Sequence, residues 1–241
     1  MAFVTGAGSG IGAATARRLG RDGFSVVCAD VDLSGGRRTA AEIPSSLAVV
    51  VDVREPESCE SAVAQTLERF GRLDAAVAAA GVNVKAKTRG DLMAIEEFRR
   101  ILEINLSGTF FTARAAGKAM IKARRGGRMV FLGSIASRGG TPGSAVYAAT
   151  KGGVLLLGQS LAIEWAPFGI HVNIIGPGVI ETPMTALIRS SPETNAELLS
   201  RIPLKRYGKP EEIAAVISFL LSADAGYMTG SYVTVDGGWL A

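Results

Sequence analysis

The stretch Thr5-Gly6-Ala7-Gly8-Ser9-Gly10-Ile11-Gly12, followed by Ala13-Ala14-Thr15-Ala16-Arg17-Arg18-Leu19, sets the reading of the whole chain. A short apolar run, Ala2–Thr5, precedes it and a helical run near Ile11–Gly20 follows, so the glycines form a turn between a strand and a helix. Such a turn lets backbone N–H groups approach a pyrophosphate while the positive end of the helix dipole points at it. The spacing is T-G-x-x-x-G-x-G. It differs from G-x-G-x-x-G, which would need glycine in place of Ile11, and it lacks the Gly-Lys-Ser/Thr ending of a P-loop. The residues expected to face a dinucleotide here are Gly6, Ser9, Gly10, Ile11 and Gly12.

Outward from this turn, short β-branched runs alternate with longer helical patterns, the signature of βαβ units and a parallel sheet. Strands are expected near Ala2–Thr5, Phe24–Asp30, Leu47–Val51, Ala75–Ala79, Arg128–Gly133, His171–Ile175 and Tyr232–Val235. Helices are expected near Ile11–Gly20, Ser34–Glu42, Pro56–Phe70, Ile95–Lys122, Ala145–Trp165 and Pro210–Leu220. The pattern predicts a single α/β domain over residues 1–241, a Rossmann-type doubly wound, seven-stranded parallel sheet with helices on both faces. Its N-terminal half should bind the dinucleotide and its C-terminal half the substrate. Between Thr182 and Pro203 the alternation stops: two helical pieces, Ala186–Arg189 and Glu193–Arg201, are split by Pro192, which suits a substrate lid.

Composition agrees with a large buried core: 48% of the 241 residues are hydrophobic and 30 are glycine. The formal charge is +4, but the basic residues are scattered apart from short clusters such as Lys122, Arg124 and Arg125, which does not suit a nucleic-acid surface. Cys28 and Cys59 have no metal-ligand spacing and read as buried, reduced thiols; no metal is expected. Neither a signal-like N-terminus nor a run of the roughly 18 apolar residues needed for a membrane span stands out, so a cytoplasmic protein is expected. The chain starts five residues before Gly6, leaving a short first strand and raising the prospect of a trimmed N-terminus.

The second strand ends in Asp30, 18 positions past Gly12, close to the spacing at which a carboxylate meets the adenosine ribose hydroxyls. A 2′-phosphate would meet like charge there, and neither Ser9 nor Val31 offers a compensating cation, so NAD is expected over NADP. Arg37 and Arg38 are the nearby cations that could argue otherwise. After the third strand, Asp52 and Val53 fall where an adenine edge would lie.

Tyr147 and Lys151 stand four apart on a helical pattern and so share one face. A tyrosine is a weak acid at neutral pH; an ammonium beside it favours the phenolate and lowers its pKa toward the working range. Ser134 lies 13 positions upstream of Tyr147 at the end of a strand, where open α/β sheets bind ligands.

With these residues in order, the chain resembles the short-chain dehydrogenase/reductase family over essentially its full length. The resemblance rests on Thr5-Gly6-x-x-x-Gly10-x-Gly12, Asp30, Asp52, Asn105, Ser134, Tyr147-x-x-x-Lys151, Pro177-Gly178 and the closing Val233-Thr234-Val235-Asp236-Gly237-Gly238. It implies Tyr147 as proton donor to a carbonyl or base toward an alcohol, and Lys151 as its tuner and ribose ligand. Ser134 would hold the substrate oxygen, and Asn105 would bind a water linking Lys151 to solvent. Pro177, Gly178, Ile180 and Thr182 would line the cofactor's carboxamide and phosphates, with the Ile180 backbone orienting the nicotinamide. A homotetramer built through the helices Ile95–Lys122 and Ala145–Trp165 is implied as well. Many family members carry Asn-Ala-Gly after the fourth strand; here Ala79-Ala80-Gly81 stands instead, keeping backbone contact to the ribose but losing a side chain that ties the loop.

The expected activity is an NAD(H)-dependent interconversion of a secondary alcohol and its ketone. Two alternatives remain: a 3-oxoacyl-[acyl-carrier-protein] reductase-like enzyme using NADPH, and a non-catalytic dinucleotide-binding regulator. A Ser-His-Asp hydrolase is disfavoured because Ser134 is not in G-x-S-x-G, and His171, the single histidine, reads as structural, as does Asn173. Substrate identity is not legible in Val82–Leu92, Arg138–Ser144 or the lid.

Overall fold

Seven parallel strands form one sheet in the order β3-β2-β1-β4-β5-β6-β7. They are β1 (Ala2–Thr5), β2 (Val26–Asp30), β3 (Ser46–Val50), β4 (Ala75–Ala78), β5 (Gly127–Leu132), β6 (Ile170–Pro177) and β7 (Tyr232–Val235). The computed structural model describes residues 1–241, with Leu187 and Ile188 described by backbone alone. Strand order reverses between β1 and β4, and a crevice opens at the carboxyl ends of the strands at such a switch point.

Alternate side chains of each strand serve opposite faces. Phe3 enters one core with Val27, Met129 and Ile174, while Ala2 and Val4 enter the other with Val26, Val77 and Val130. The helices α1 (Gly10–Arg21), α2 (Leu33–Ala40), α3 (Pro56–Phe70), α4 (Ile95–Leu102), α5 (Gly108–Ala123), α6 (Ala145–Trp165), α7 (Pro183–Ser190), α8 (Pro192–Arg201) and α9 (Pro210–Leu221) complete the chain. Cys59, Ala116 and Val154 carry α3, α5 and α6 onto the first core, and Leu19, Ile213 and Ile217 carry α1 and α9 onto the second. Proline opens α3, α7, α8 and α9, where its missing N–H costs no hydrogen bond.

One expectation needs correction. The pattern Ile95–Lys122 is not one helix: a π-helical segment, Glu103–Ser107, separates α4 from α5 and carries Asn105 inward to full burial. Periodicity cannot see such a wide turn, because one extra residue leaves the flanking helical patterns intact. The residues Ala145–Phe168 have the length and mean hydropathy of a membrane span, but Lys151, Gln159 and Glu164 interrupt any continuous apolar run. In the fold α6 is a core helix: Val154, Leu155, Leu161 and Ala162 are buried, and Gly158 lies against Ile174 and Phe131.

The lid expected over residues 182–203 consists of α7 and α8 joined at Ser191; Leu187 and Ile188 within it lie outside the described side chains. Its base is tied to the C-terminal segment, where Leu204 N–H donates to the Gly237 carbonyl and the Arg201 guanidinium lies 4.2 Å above the Trp239 ring.

Candidate active site

The glycine turn after β1 is folded onto itself and onto the segment after β4. Gly6 has φ +68, and a Cβ there would lie 2.8 Å from the Cα and N of Ala80. A Cβ at Gly12 would overlap the Gly6 carbonyl. Two backbones therefore cross where any side chain would hold them apart. The helix α1 starts with Ser9 in an extended conformation and no side-chain cap, leaving its first-turn N–H groups and positive dipole end to serve a ligand. Thr182, the residue before α7, lies over Gly10, its Cγ2 being 3.4 Å from where a Cβ would stand. Two helix N-termini thus approach one place.

A cavity of about 360 Å³ opens there. Gly6, Ser9, Gly10, Ile11, Gly12, Asp30, Val31, Asp52, Val53, Ala79, Ala80, Gly81 and Thr182, all among the residues expected to face the cofactor, line it. Arg54, Ile104, Leu132 and Met184 also line it and were not foreseen. Gly178 and Ile180 line a separate cavity of about 90 Å³ instead, and Pro177 is buried at the end of β6. The Ile180 side chain is core, but its N–H takes no part in the bridge to Gly208, which uses the Val179 carbonyl and the Glu181 N–H on either side.

Both oxygens of Asp30 are oriented by backbone: Oδ2 accepts from Gly8 N–H at 2.7 Å and Oδ1 from Asp32 N–H at 2.9 Å. Each oxygen keeps a lone pair for a further donor. Arg38 is drawn to Ser34 and Asp32 rather than to Asp30. Asp52 is held by a two-pronged guanidinium, Arg54 Nε donating to Oδ1 at 2.9 Å and Nη2 to Oδ2, and this keeps its carboxyl below the usual range. The backbone at Ala79 is tied to β1 by Thr5, whose hydroxyl accepts from Ala79 N–H at 3.2 Å.

Ser134, Tyr147 and Lys151 gather at the carboxyl end of β5. Ser134 follows β5 and opens one 3₁₀ turn, Ile135–Ser137, its hydroxyl accepting from Ala136 N–H at 3.1 Å. Lys151, only 5% exposed, donates from Nζ to the Leu132 carbonyl at 2.7 Å, and Nζ lies 5.8 Å from the centre of the Tyr147 ring. Burial pushes the Lys151 ammonium down to about 8. Burial pushes the Tyr147 phenol up, opposed by the neighbouring Ser134 hydroxyl. This is opposite to the direction expected for Tyr147: desolvation outweighs the Ser134 hydrogen bond that favours the phenolate.

Asn105 is fully engaged from within the fold. Its Oδ1 accepts from Val82 N–H at 2.8 Å, and Nδ2 donates to the Val82 carbonyl and to Thr150 Oγ1, which in turn donates to the Tyr147 carbonyl. It clamps the loop after β4 to the turn of α6 that bears Tyr147. A side chain at Gly81 would begin 3.4 Å from Asn105 Oδ1 and 3.7 Å from Lys151 Nζ, so both groups border one space. His171 and Asn173 reach Met228 carbonyl and neighbouring backbone, far from this constellation in their bonding.

Comparison with known proteins agrees with this architecture. Residues 6–240 match a family model described as enoyl-(acyl carrier protein) reductase. The chain is 37% identical to a cyclohexanol dehydrogenase of Acinetobacter sp. (strain SE19), with 99% of this chain and 94% of that one covered. It superposes with a TM-score of 0.92 and 33% identity on a 3-ketoacyl-(acyl-carrier-protein) reductase from Brucella melitensis complexed with NADH, covering 100% of this chain and 98% of that one. A structure described as a 2-deoxy-D-gluconate 3-dehydrogenase from Agrobacterium tumefaciens, with bound NADP, gives a TM-score of 0.91 at 34% identity, covering 99% and 95%. The chain belongs to the short-chain dehydrogenase/reductase family and is an oxidoreductase of that class.

Proposed function

We propose that this protein interconverts a secondary alcohol and its ketone with NAD(H). The observation that carries the reading is the meeting of Ser134, Tyr147 and Lys151 at the end of β5, beside a cavity built on the glycine turn. The cavity suits a dinucleotide: Gly6 and Gly12 allow close backbone approach, the starts of α1 and α7 suit the pyrophosphate, and Asp30 suits the ribose hydroxyls. Asp52 and Val53 would border adenine, Ala79, Ala80 and Gly81 the adenosine ribose, and Ile180 N–H the carboxamide. The bound dinucleotide supplies or accepts the hydride.

The chain's own groups supply the proton. Tyr147, held protonated by burial, donates to the carbonyl oxygen in reduction; in oxidation it takes the alcohol proton after its own has passed by way of Lys151 to solvent. Ser134 donates a hydrogen bond to the same oxygen and steadies charge developing on it. Lys151, charged below about pH 8, offers its remaining protons to a ribose and to Tyr147. Asn105 fixes the loop and helix that frame these groups, and the space it shares with Lys151 suits a water leading to solvent. The exposed apolar residues Phe110 on α5 and Leu156 and Ile163 on α6 support assembly through these helices into a homotetramer, and the buried free thiols Cys28 and Cys59 suit the cytoplasm.

The test is a panel of secondary alcohols with NAD or NADP, following absorbance of the reduced nicotinamide. Turnover with NAD preferred is expected. A preference for NADP above about tenfold would overturn the Asp30 argument and favour the acyl-thioester reductase, and absence of turnover on alcohols, ketones and 3-oxoacyl thioesters would favour a binding protein.

A further inference from the structure

Ser134 can orient a substrate oxygen only if its own backbone is fixed, and one of the residues that fix it comes from β7, at the edge of the sheet. Ser137 Oγ accepts from Ser134 N–H at 3.1 Å and donates to the Lys151 carbonyl at 2.9 Å, bridging two members of the constellation. The Ser134 carbonyl accepts from Ser137 N–H at 2.8 Å and also from the hydroxyl of Tyr232. Tyr232 opens β7, two strands away from β5, with β6 between them.

The phenol can make that crossing because β6 carries no side chain where it passes. Tyr232 pairs with Ile174, and two residues on, on the same face, stands Gly176. A Cβ at Gly176 would overlap the Tyr232 hydroxyl and its ring carbon Cζ. Gly176 has no positive φ to explain it, so its value here is the open path. The ring is steadied from outside by Arg138, whose guanidinium carbon lies 4.6 Å from the ring centre and which directly follows the Ser134–Ser137 turn. One phenol therefore touches the turn at its first carbonyl and at the residue that leaves it for the substrate loop.

We propose that Tyr232 is a positioning residue for Ser134, acting through the Ser134 carbonyl across the gap left by Gly176; this rests on the reading of Ser134 as the ligand of the substrate oxygen. Tyr232 does not touch substrate. It restricts the backbone torsions that aim the Ser134 hydroxyl toward Tyr147, and with Ser137 and Arg138 it makes the turn a rigid support for the loop Arg138–Ser144. The pair Gly176 and Tyr232 works as a unit: a larger residue at 176 displaces the phenol, and loss of the hydroxyl leaves the gap without a purpose.

Tyr232→Phe removes the hydroxyl and keeps the ring under Arg138. Amide hydrogen exchange over residues 134–138, which needs no substrate, should quicken at least about fivefold in this variant while NAD uptake by calorimetry stays within about twofold. On the alcohol of the panel that the wild type oxidises fastest, kcat should fall about tenfold with KM for NAD unchanged. In a Ser134→Ala background the same change should cost less than about twofold, because the group it positions is gone. Gly176→Ala, with Tyr232 intact, should reproduce the faster exchange and carries the test if Tyr232→Phe folds poorly. Exchange and kcat both within about twofold of wild type, or full additivity with Ser134→Ala, would overturn the proposal. If the wild type turns over nothing in the panel, the reading of the site fails, and hydrogen exchange still decides whether Tyr232 holds Ser134.

Discussion

The glycine turn between β1 and α1 and the Ser134 turn after β5 sit at the same end of one sheet, but they are held differently. The glycine turn keeps its shape because side chains are missing: Gly6 crosses Ala80, Gly12 crosses Gly6, and the ligand-facing groups are backbone N–H. The Ser134 turn keeps its shape because side chains are present: Ser137 and Tyr232 on its backbone, Arg138 over the Tyr232 ring, and Lys151 reaching to the Leu132 carbonyl. Binding a dinucleotide needs space and a dipole, which absence provides. Proton transfer needs one atom aimed at another, which only anchored side chains provide.

The contrast breaks most visibly if the glycine turn tolerates a side chain. Gly12→Ala should push Gly6 and Gly12 apart, lower stability by about 1–3 kcal/mol or more and weaken NAD uptake by more than about 100-fold in calorimetry, since the first turn of α1 moves with it. Unchanged affinity would mean that backbone proximity is not what binds.

Lys151→Met sharpens the other half. Turnover should fall about 100-fold or more, yet the melting temperature at pH 7 should not fall and should rise by a few degrees, because a buried ammonium is removed. The sign follows from its pKa, about 8 in the fold against an ordinary 10.5: between these values the unfolded chain binds more protons, so wild-type stability climbs as pH rises from about 8 to 10.5. The variant's advantage should shrink over the same window. Tyr147 acts oppositely above its ordinary 10.0, where the unfolded phenol ionises first and stability falls with rising pH. A melting profile of Lys151→Met parallel to wild type from pH 7 to 10 would contradict this account.

A smaller effect is expected at Asp30, where the two ways of building meet: a side chain held by Gly8 and Asp32 N–H groups. Asp30→Ala should weaken NAD by about tenfold and bring NAD and NADP to near parity, with melting lowered slightly as Gly8 loses its acceptor. A preserved preference for NAD would place the discrimination elsewhere, with Arg38, tied to Asp32 and Ser34, the next position to vary.

What could be read from sequence follows the same division. The glycine turn, Asp30 and the alternating elements were legible because each is a local pattern: a turn that only glycine permits, an acid at a strand end, a change of period. Ser134, Tyr147 and Lys151 were legible through their order and spacing along the chain. The carbonyl of Leu132 was not, since backbone acceptors leave no trace in residue identity. Nor was the π segment around Asn105, or the direction in which burial moves Tyr147, which depends on how many atoms from distant elements close over it. Tyr232 and Arg54 leave no such trace either, because their partners, the Ser134 carbonyl and the Asp52 carboxylate, become neighbours only in the fold or through a side-chain rotamer.

The central claim is that the Tyr147 hydroxyl carries the proton of a hydride transfer between an alcohol and NAD. Tyr147→Phe, compared with wild type by single-turnover formation of reduced nicotinamide at saturating NAD and alcohol, tests it most directly. A rate lower by about 10²–10⁴-fold is expected, with NAD affinity within about threefold by calorimetry, since the ring and Lys151 remain. A variant that forms reduced nicotinamide at the wild-type rate would contradict it.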